Sequence, residues 1–400
     1  MRRSPDLPFV AALASITLIG PLAVHLFLPV MPEVKKAFAI SEALVGLTFS
    51  VTLLVMAIVT LAYGSLSDRY GRRTVLLTGL VLFTAGGAVA ALADSVSGLI
   101  AGRIIQALGA GCGVTLARVI ARDAYGTDRL VKVIAYLSMA YTLGPMMSPL
   151  FGGILIDTLG WRSVLWFAVL AGLIITTLAY VVLYETRPAD EIEPGPPKFF
   201  RNYTALLSQP RFTAFVLQTG FSTGTFYAMA SASSFLMKDY LGRSATEFGM
   251  YFVLFPTGLL VGNIISSRLS QRFSIESMVL VGSVINLTAI ISQSALILVG
   301  YLTPLVIFVP GFLITFGQGL ALPNAQAGAL RVMPGLSGTA AGIGVFFQSF
   351  LGAIFSQIYG LLADGTPIPM VITVAAAAIF TLLAGVTPFV LKRRANRIAG

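Results

Sequence analysis

One histidine and two arginines stand inside otherwise apolar stretches of this chain, and these three can move or hold charge there. His25 follows Gly20-Pro-Leu-Ala-Val and precedes Leu-Phe-Leu-Pro29-Val-Met-Pro32. Arg103 and Arg118 share a run that opens Arg103-Ile-Ile-Gln106-Ala-Leu-Gly109. Imidazole is the side chain that exchanges a proton near neutrality. A guanidinium is costly in hydrocarbon, so it must meet partners, line a watery cavity or reach an interface by its long stem. A helix turning roughly 100° per residue sets the two arginines about 60° apart around its axis and about 22 Å along it. Both then face nearly one way. Snorkelling to the two interfaces is the competing reading, and it suits Arg118 better than Arg103. His25 either relays a proton or only hydrogen-bonds a neighbouring helix.

A second charge cluster lies in Tyr63-Gly-Ser-Leu-Ser-Asp68-Arg69-Tyr-Gly71-Arg72-Arg73-Thr-Val75, a loop too short to be a domain. Gly64 and Gly71 let two helix ends approach and reverse. Asp68 can accept hydrogen bonds from a helix N-terminus or an arginine, and the bases sit where anionic headgroups lie. A third motif, Gly144-Pro145-Met-Met-Ser-Pro149-Leu-Phe-Gly152-Gly153, bends a helix and strips bulk from one edge. Such an edge either rocks against a neighbouring helix or is plain kinked packing. The glycines at 109, 111 and 113 serve close helix contact. Lone Cys112 excludes an intrachain disulfide and reads as packing. Nucleotide loops, metal clusters and nucleophile constellations are not visible, so catalytic residues, bound metals and cofactors are not expected.

The elements that position these residues are membrane helices. The 400 residues are 56% hydrophobic and only 10% charged, with a mean hydropathy of +0.89. One soluble core cannot absorb that. Apolar runs of about 20 residues, each enough for a ~30 Å hydrocarbon slab, predict an all-α protein of twelve spans. They fall at 8–30, 44–66, 74–93, 98–120, 131–156, 163–184, 211–237, 246–268, 276–299, 303–323, 337–362 and 370–391. The first is too long for a signal-peptide core and is expected to stay as a helix. Nineteen of the 26 basic residues fall in one set of alternate segments and five in the other. That bias places both termini in the cytoplasm and explains the net charge of +10 without nucleic acid.

Polarity rises at Glu185–Pro210, where Pro188, Pro194, Pro196 and Pro197 cluster. The division expected is an amino-terminal bundle over 1–184, a cytoplasmic linker over 185–210 and a carboxy-terminal bundle over 211–400. Phe199–Leu207 reads as a short amphipathic turn within the linker. A faint repeat supports two halves: Leu66-Ser-Asp-Arg-Tyr70 aligns with Leu269-Ser-Gln-Arg-Phe273, and Gly109-Ala-Gly111 with Gly317-Gln-Gly319. The second half carries amides and aromatics that suit drug-sized ligands, with Tyr227 and Gln348, joined by Tyr141 from the first half, the residues backed for the cavity. Acids sit at helix ends: Asp94, Asp157, Asp239, Glu247 and Asp364 outside, Asp123 inside. That leaves His25 as the candidate proton carrier.

The loop resembles the Gly-x-Leu-x-Asp-Arg-x-Gly-Arg-Arg signature between helices 2 and 3 of the major facilitator superfamily, carried by Gly64, Leu66, Asp68, Arg69, Gly71, Arg72 and Arg73. Gly144-Pro145 through Gly153 resembles the antiporter motif of that superfamily's drug exporters. With Arg103, Gln106, Arg118, Arg122 and Asp123, the first half is similar to the bicyclomycin/chloramphenicol-resistance branch of the drug/proton antiporters. That branch usually has Asp where His25 stands. The resemblance implies two pseudo-symmetric six-helix bundles, substrate held midway, alternating access, and efflux of drug-like molecules in exchange for protons across a bacterial inner membrane. It implies a cavity touching Arg118 and a gating loop at 64–73; with the usual Asp replaced, proton coupling is expected to fall to His25 paired with Arg103. With cations and no buried acid, the cavity should take neutral or anionic compounds, and a monomer is expected. Three alternatives stay open: a metabolite exporter or importer, a proton-independent facilitator, and a non-transporting scaffold or receptor.

Overall fold

The computed structural model describes residues 7–187 and 199–399, and among them every regular element is a helix. The chain is all-α. Its first apolar segment, Leu7–Phe38, is broken where a single helix over 8–30 is expected. It consists of α1 (Leu7–Thr17), α2 (Ile19–Val24), a 3₁₀ stretch over His25–Val30 and α3 (Met31–Phe38). Pro29 inside the 3₁₀ stretch has no N–H for an α-type bond, and Pro32 follows at the start of α3. His25 is therefore the first residue of a tightened turn in mid-segment, a geometry common at functional hinges.

The rest of the first half follows as α4 (Glu42–Tyr70), α5 (Arg72–Ala91), α6 (Val96–Ala110), α7 (Cys112–Leu159) and α8 (Trp161–Val182). A loop is expected between residues 120 and 131, yet helical bonding continues from Cys112 to Leu159. No proline interrupts the chain between Arg118 and Tyr141, so nothing forbids the backbone from staying helical. The proline cluster 188–197 lies outside the described residues. Helix α9 (Phe199–Leu207) buries Leu206 against Phe212, Phe215 and Ile343.

The second half comprises α10 (Pro210–Phe235), a π turn over Leu236–Tyr240, α11 (Ala245–Phe252), α12 (Leu254–Leu269), α13 (Ile275–Leu298), α14 (Pro304–Val332), α15 (Ser337–Leu362) and α16 (Ile368–Ala399). Among the described residues eleven helices are long and apolar enough to cross a bilayer. The twelfth expected span, α10, has the length at 26 residues but not the apolarity. Its buried Gln218, Thr219, Ser222, Thr223, Thr225, Ser231, Ser233 and Ser234 dilute the hydrophobic run. Several of these hydroxyls bond backward along the same helix, Thr223 to Thr219 at 2.9 Å and Thr225 to Phe221 at 3.0 Å, which removes the cost of burying them.

Two compact units result. The first holds the described parts of Met1–Ser41, Leu47–Pro196 and Ser244–Met250; the second those of Glu42–Gly46, Pro197–Arg243 and Tyr251–Gly400. Each thus includes a short segment from the other half of the sequence. In the first unit, Asp157 accepts hydrogen bonds from the backbone N–H groups of Ala245 (3.3 Å) and Thr246 (2.8 Å) at the start of α11. In the second, Tyr359 donates to the buried Glu42 at 3.0 Å and Gln357 to the Ala43 carbonyl at 3.1 Å.

Candidate functional site

Arg103 is the most completely buried cation of the first unit's interior, with 1% of its surface exposed. Helix α6 aims it at the broken first segment. Its Nη1 donates to Gln106 Oε1 at 2.6 Å, one turn along the same helix, and its Nη2 donates to the Ala23 carbonyl at 2.7 Å. The guanidinium lies over the Phe27 ring, 4.2 Å from its centroid. Ala23 and Phe27 stand two residues either side of His25. The imidazole itself is buried, and its backbone N–H donates to the Pro21 carbonyl. The arginine therefore grips the chain around His25, and both residues lie inside the unit rather than against lipid.

At one end of the same unit, Arg72 gathers the charges of the loop. It is 2% exposed, donating from Nη1 to Asp68 and to Ser67 Oγ (2.7 Å) and from Nε to Asp123 Oδ2 (3.0 Å). Arg122 reaches the other Asp123 oxygen at 3.3 Å. The first two N–H groups of α5, on Arg72 and Arg73, have no intrahelical acceptor; Glu185 caps them at 2.9 and 3.1 Å. Gly71, at φ +93°, makes the turn that lets Glu185 in, because a Cβ there would meet Glu185 Oε2 at 2.7 Å. Arg73 also donates to the Tyr180 carbonyl at 2.8 Å, while Arg187 donates to the carbonyl of Arg69 at 2.9 Å. Gly64 by contrast has open space around it.

The small-residue edge of α7 faces the broken first segment: Gly144 lies against Pro21, and Gly152 against Pro29 and Leu26. Gly153 packs on the Ala245 backbone, and Gly249 returns the contact against Pro149 and Leu150. Pro145 lies in the same helical run. Arg118 is exposed, unlike Arg103, and its charge acts on the half-exposed Tyr141 of the same unit. Tyr227 and Gln348 belong to the second unit and are half-buried. Tyr227 packs on Phe226, ring centroids 5.0 Å apart, and covers Gly352. Gln348 lies in α15 beside Phe346 and Phe350, whose rings stack at 5.3 Å.

Three partnerships escape a reading of the sequence. Asp123 reads as an acid at a helix end, but it is a direct partner of Arg72, 51 residues away. Glu185 reads as the first residue of a linker, but it caps α5 from 113 residues away. Glu42 lies just before the expected span 44–66, where its sequence position assigns it no partner, yet it is 8% exposed and bonded by Tyr359. The signal available for Glu185 was the pair of basic residues at a helix start, which calls for an imported carboxylate.

Comparison with known proteins places these features in context. The family model described as Major Facilitator Superfamily matches residues 13–357. The bicyclomycin resistance protein homolog of Haemophilus influenzae is 25% identical, with 94% of each chain covered. Multidrug resistance protein D of Escherichia coli is 26% identical over 90% of this chain and 91% of that protein. Among solved structures, a bacterial homolog of the human lysosomal transporter Spinster superposes with a TM-score of 0.77 at 17% identity, covering 98% of each chain. A D-xylose-proton symporter gives 0.75 at 15% identity, covering 94% of this chain and 97% of that one.

Proposed function

The chain belongs to the Major Facilitator Superfamily, a multi-pass membrane transporter rather than an enzyme, and we propose that it exports drug-like small molecules in exchange for protons. The names of its relatives, bicyclomycin and multidrug resistance proteins, favour efflux over uptake. The observation that carries proton coupling is the grip of Arg103 on the chain either side of His25, through the Ala23 carbonyl and the Phe27 ring. A change of charge on an imidazole in that tightened turn alters the very backbone that Arg103 holds, so protonation and helix movement share one lever. The loop at 64–73, with Asp123 and Glu185, acts as the latch that transmits this movement.

In the first unit, exposed Arg118 and Tyr141 support a preference for neutral or anionic compounds over lipophilic cations; in the second, Tyr227 and Gln348 offer the aromatic and amide groups that suit drug-sized ligands. The excess of basic residues in one set of loops supports cytoplasmic termini in a bacterial inner membrane. In reconstituted vesicles, His25→Ala should abolish transport driven by an imposed pH step while leaving downhill exchange intact. Unchanged pH-driven transport would remove the relay. It would favour a second reading, a proton-independent facilitator, which Arg103's lack of a carboxylate partner among the described residues also suits.

A further inference from the structure

We propose that Arg103 holds a small monovalent anion of halide size in the first unit. Such binding requires neither a direction of transport nor a coupling ion. The guanidinium has five N–H donors and a charge it does not lose. Among the described residues two acceptors reach it directly, the Gln106 side-chain oxygen and the Ala23 carbonyl, and the Phe27 face adds a weak third attraction. All three are neutral. Its Nε is buried without a hydrogen-bond partner, in a residue 1% exposed. An uncompensated charge so placed costs several kcal/mol, and a single water would satisfy the N–H while leaving most of that cost standing.

A small, partly open cavity is lined by Arg103 and Gln106 with Leu26, Phe27, Val164, Leu165 and Ala168. It has room for one group about the size of a water molecule or slightly larger. That excludes a drug-sized ligand. The walls are otherwise hydrocarbon, which suits a weakly hydrated halide over phosphate or sulfate, whose dehydration nothing there repays. The site thus selects for size, single charge and easy dehydration, and chloride is the abundant ion that meets all three.

Crystals or cryo-cooled samples of the intact protein grown in sodium bromide provide the direct test, with the anomalous signal of bromide as readout. A peak within hydrogen-bonding distance of Arg103 Nε is expected. In detergent solution, chloride or bromide at constant ionic strength should raise the unfolding temperature saturably, and gluconate or sulfate should not. Ala168→Val, which narrows the cavity and leaves the arginine in place, should remove the peak and the halide dependence together. If that variant does not fold, the wild-type anomalous map alone decides. A map with no peak at Arg103, or a halide-dependent stability whose bromide lies elsewhere, overturns the proposal in favour of water at the site.

Discussion

The third helix of each sequence half starts under the control of the sixth, and the two units do it with opposite charges. In the first, α5 begins with basic Arg72 and Arg73 at its positively polarised end, an unfavourable placement that Glu185, Asp68 and Asp123 offset. In the second, α13 begins with Ser274, whose Oγ caps the Ser277 N–H at 3.3 Å, and with Glu276, an acid where the helix dipole favours one. Glu276 is 2% exposed; it accepts from Arg211 of α10 and, at 2.8 Å, from Lys392 near the end of α16. Glu185 and Lys392 thus occupy corresponding places with reversed sign. The second arrangement agrees with the helix and is a static staple. The first opposes the helix and rests on three carboxylates, the arrangement that the proposed latch requires.

Breaking each arrangement should separate the two roles. Asp68→Ala is expected to have the largest effect on function, lowering transport about tenfold or more, within the usual range of coupling free energies. Its insertion and yield should stay at wild-type levels; vesicle uptake and fluorescence-detected gel filtration measure the two together. Normal transport by this variant would make the first cluster a staple like the second. Gly71→Ala should cost about 1–3 kcal/mol from the positive φ, and it must also displace Glu185, so thermal stability and transport should fall together. Glu276→Gln is the smallest: loss of two partly exposed ion pairs should lower stability by about 1 kcal/mol and leave transport within roughly twofold. A transport defect there as deep as that of Asp68→Ala would erase the distinction.

The apolar runs and the loop signature made the all-helical membrane fold legible, because lipid forces each span to declare itself in composition. Helix α10 declares itself less, since Thr219, Thr223 and Thr225 satisfy their hydroxyls along its own backbone and need no apolar substitute. The break in the first segment was latent in Pro29 and Pro32, but spacing alone does not say that the turn tightens at His25. Burial of Arg103 could be anticipated from its place in a span. That it would grasp Ala23 and Phe27 rather than an acid could not, because those contacts bridge about 80 residues through packing. The same holds for Asp123 and Glu185, whose roles depend on which helix ends meet.

Proton-driven export is tested most directly by wild-type protein in vesicles, with a pH step imposed and the movement of both compound and protons recorded. Neutral, anionic and dicationic compounds should be run side by side. Neutral and anionic compounds are expected to accumulate against their gradient while protons move in the opposite direction and the dicationic compound lags far behind. Compound movement that ignores the pH step, with no matching proton flux, would contradict it.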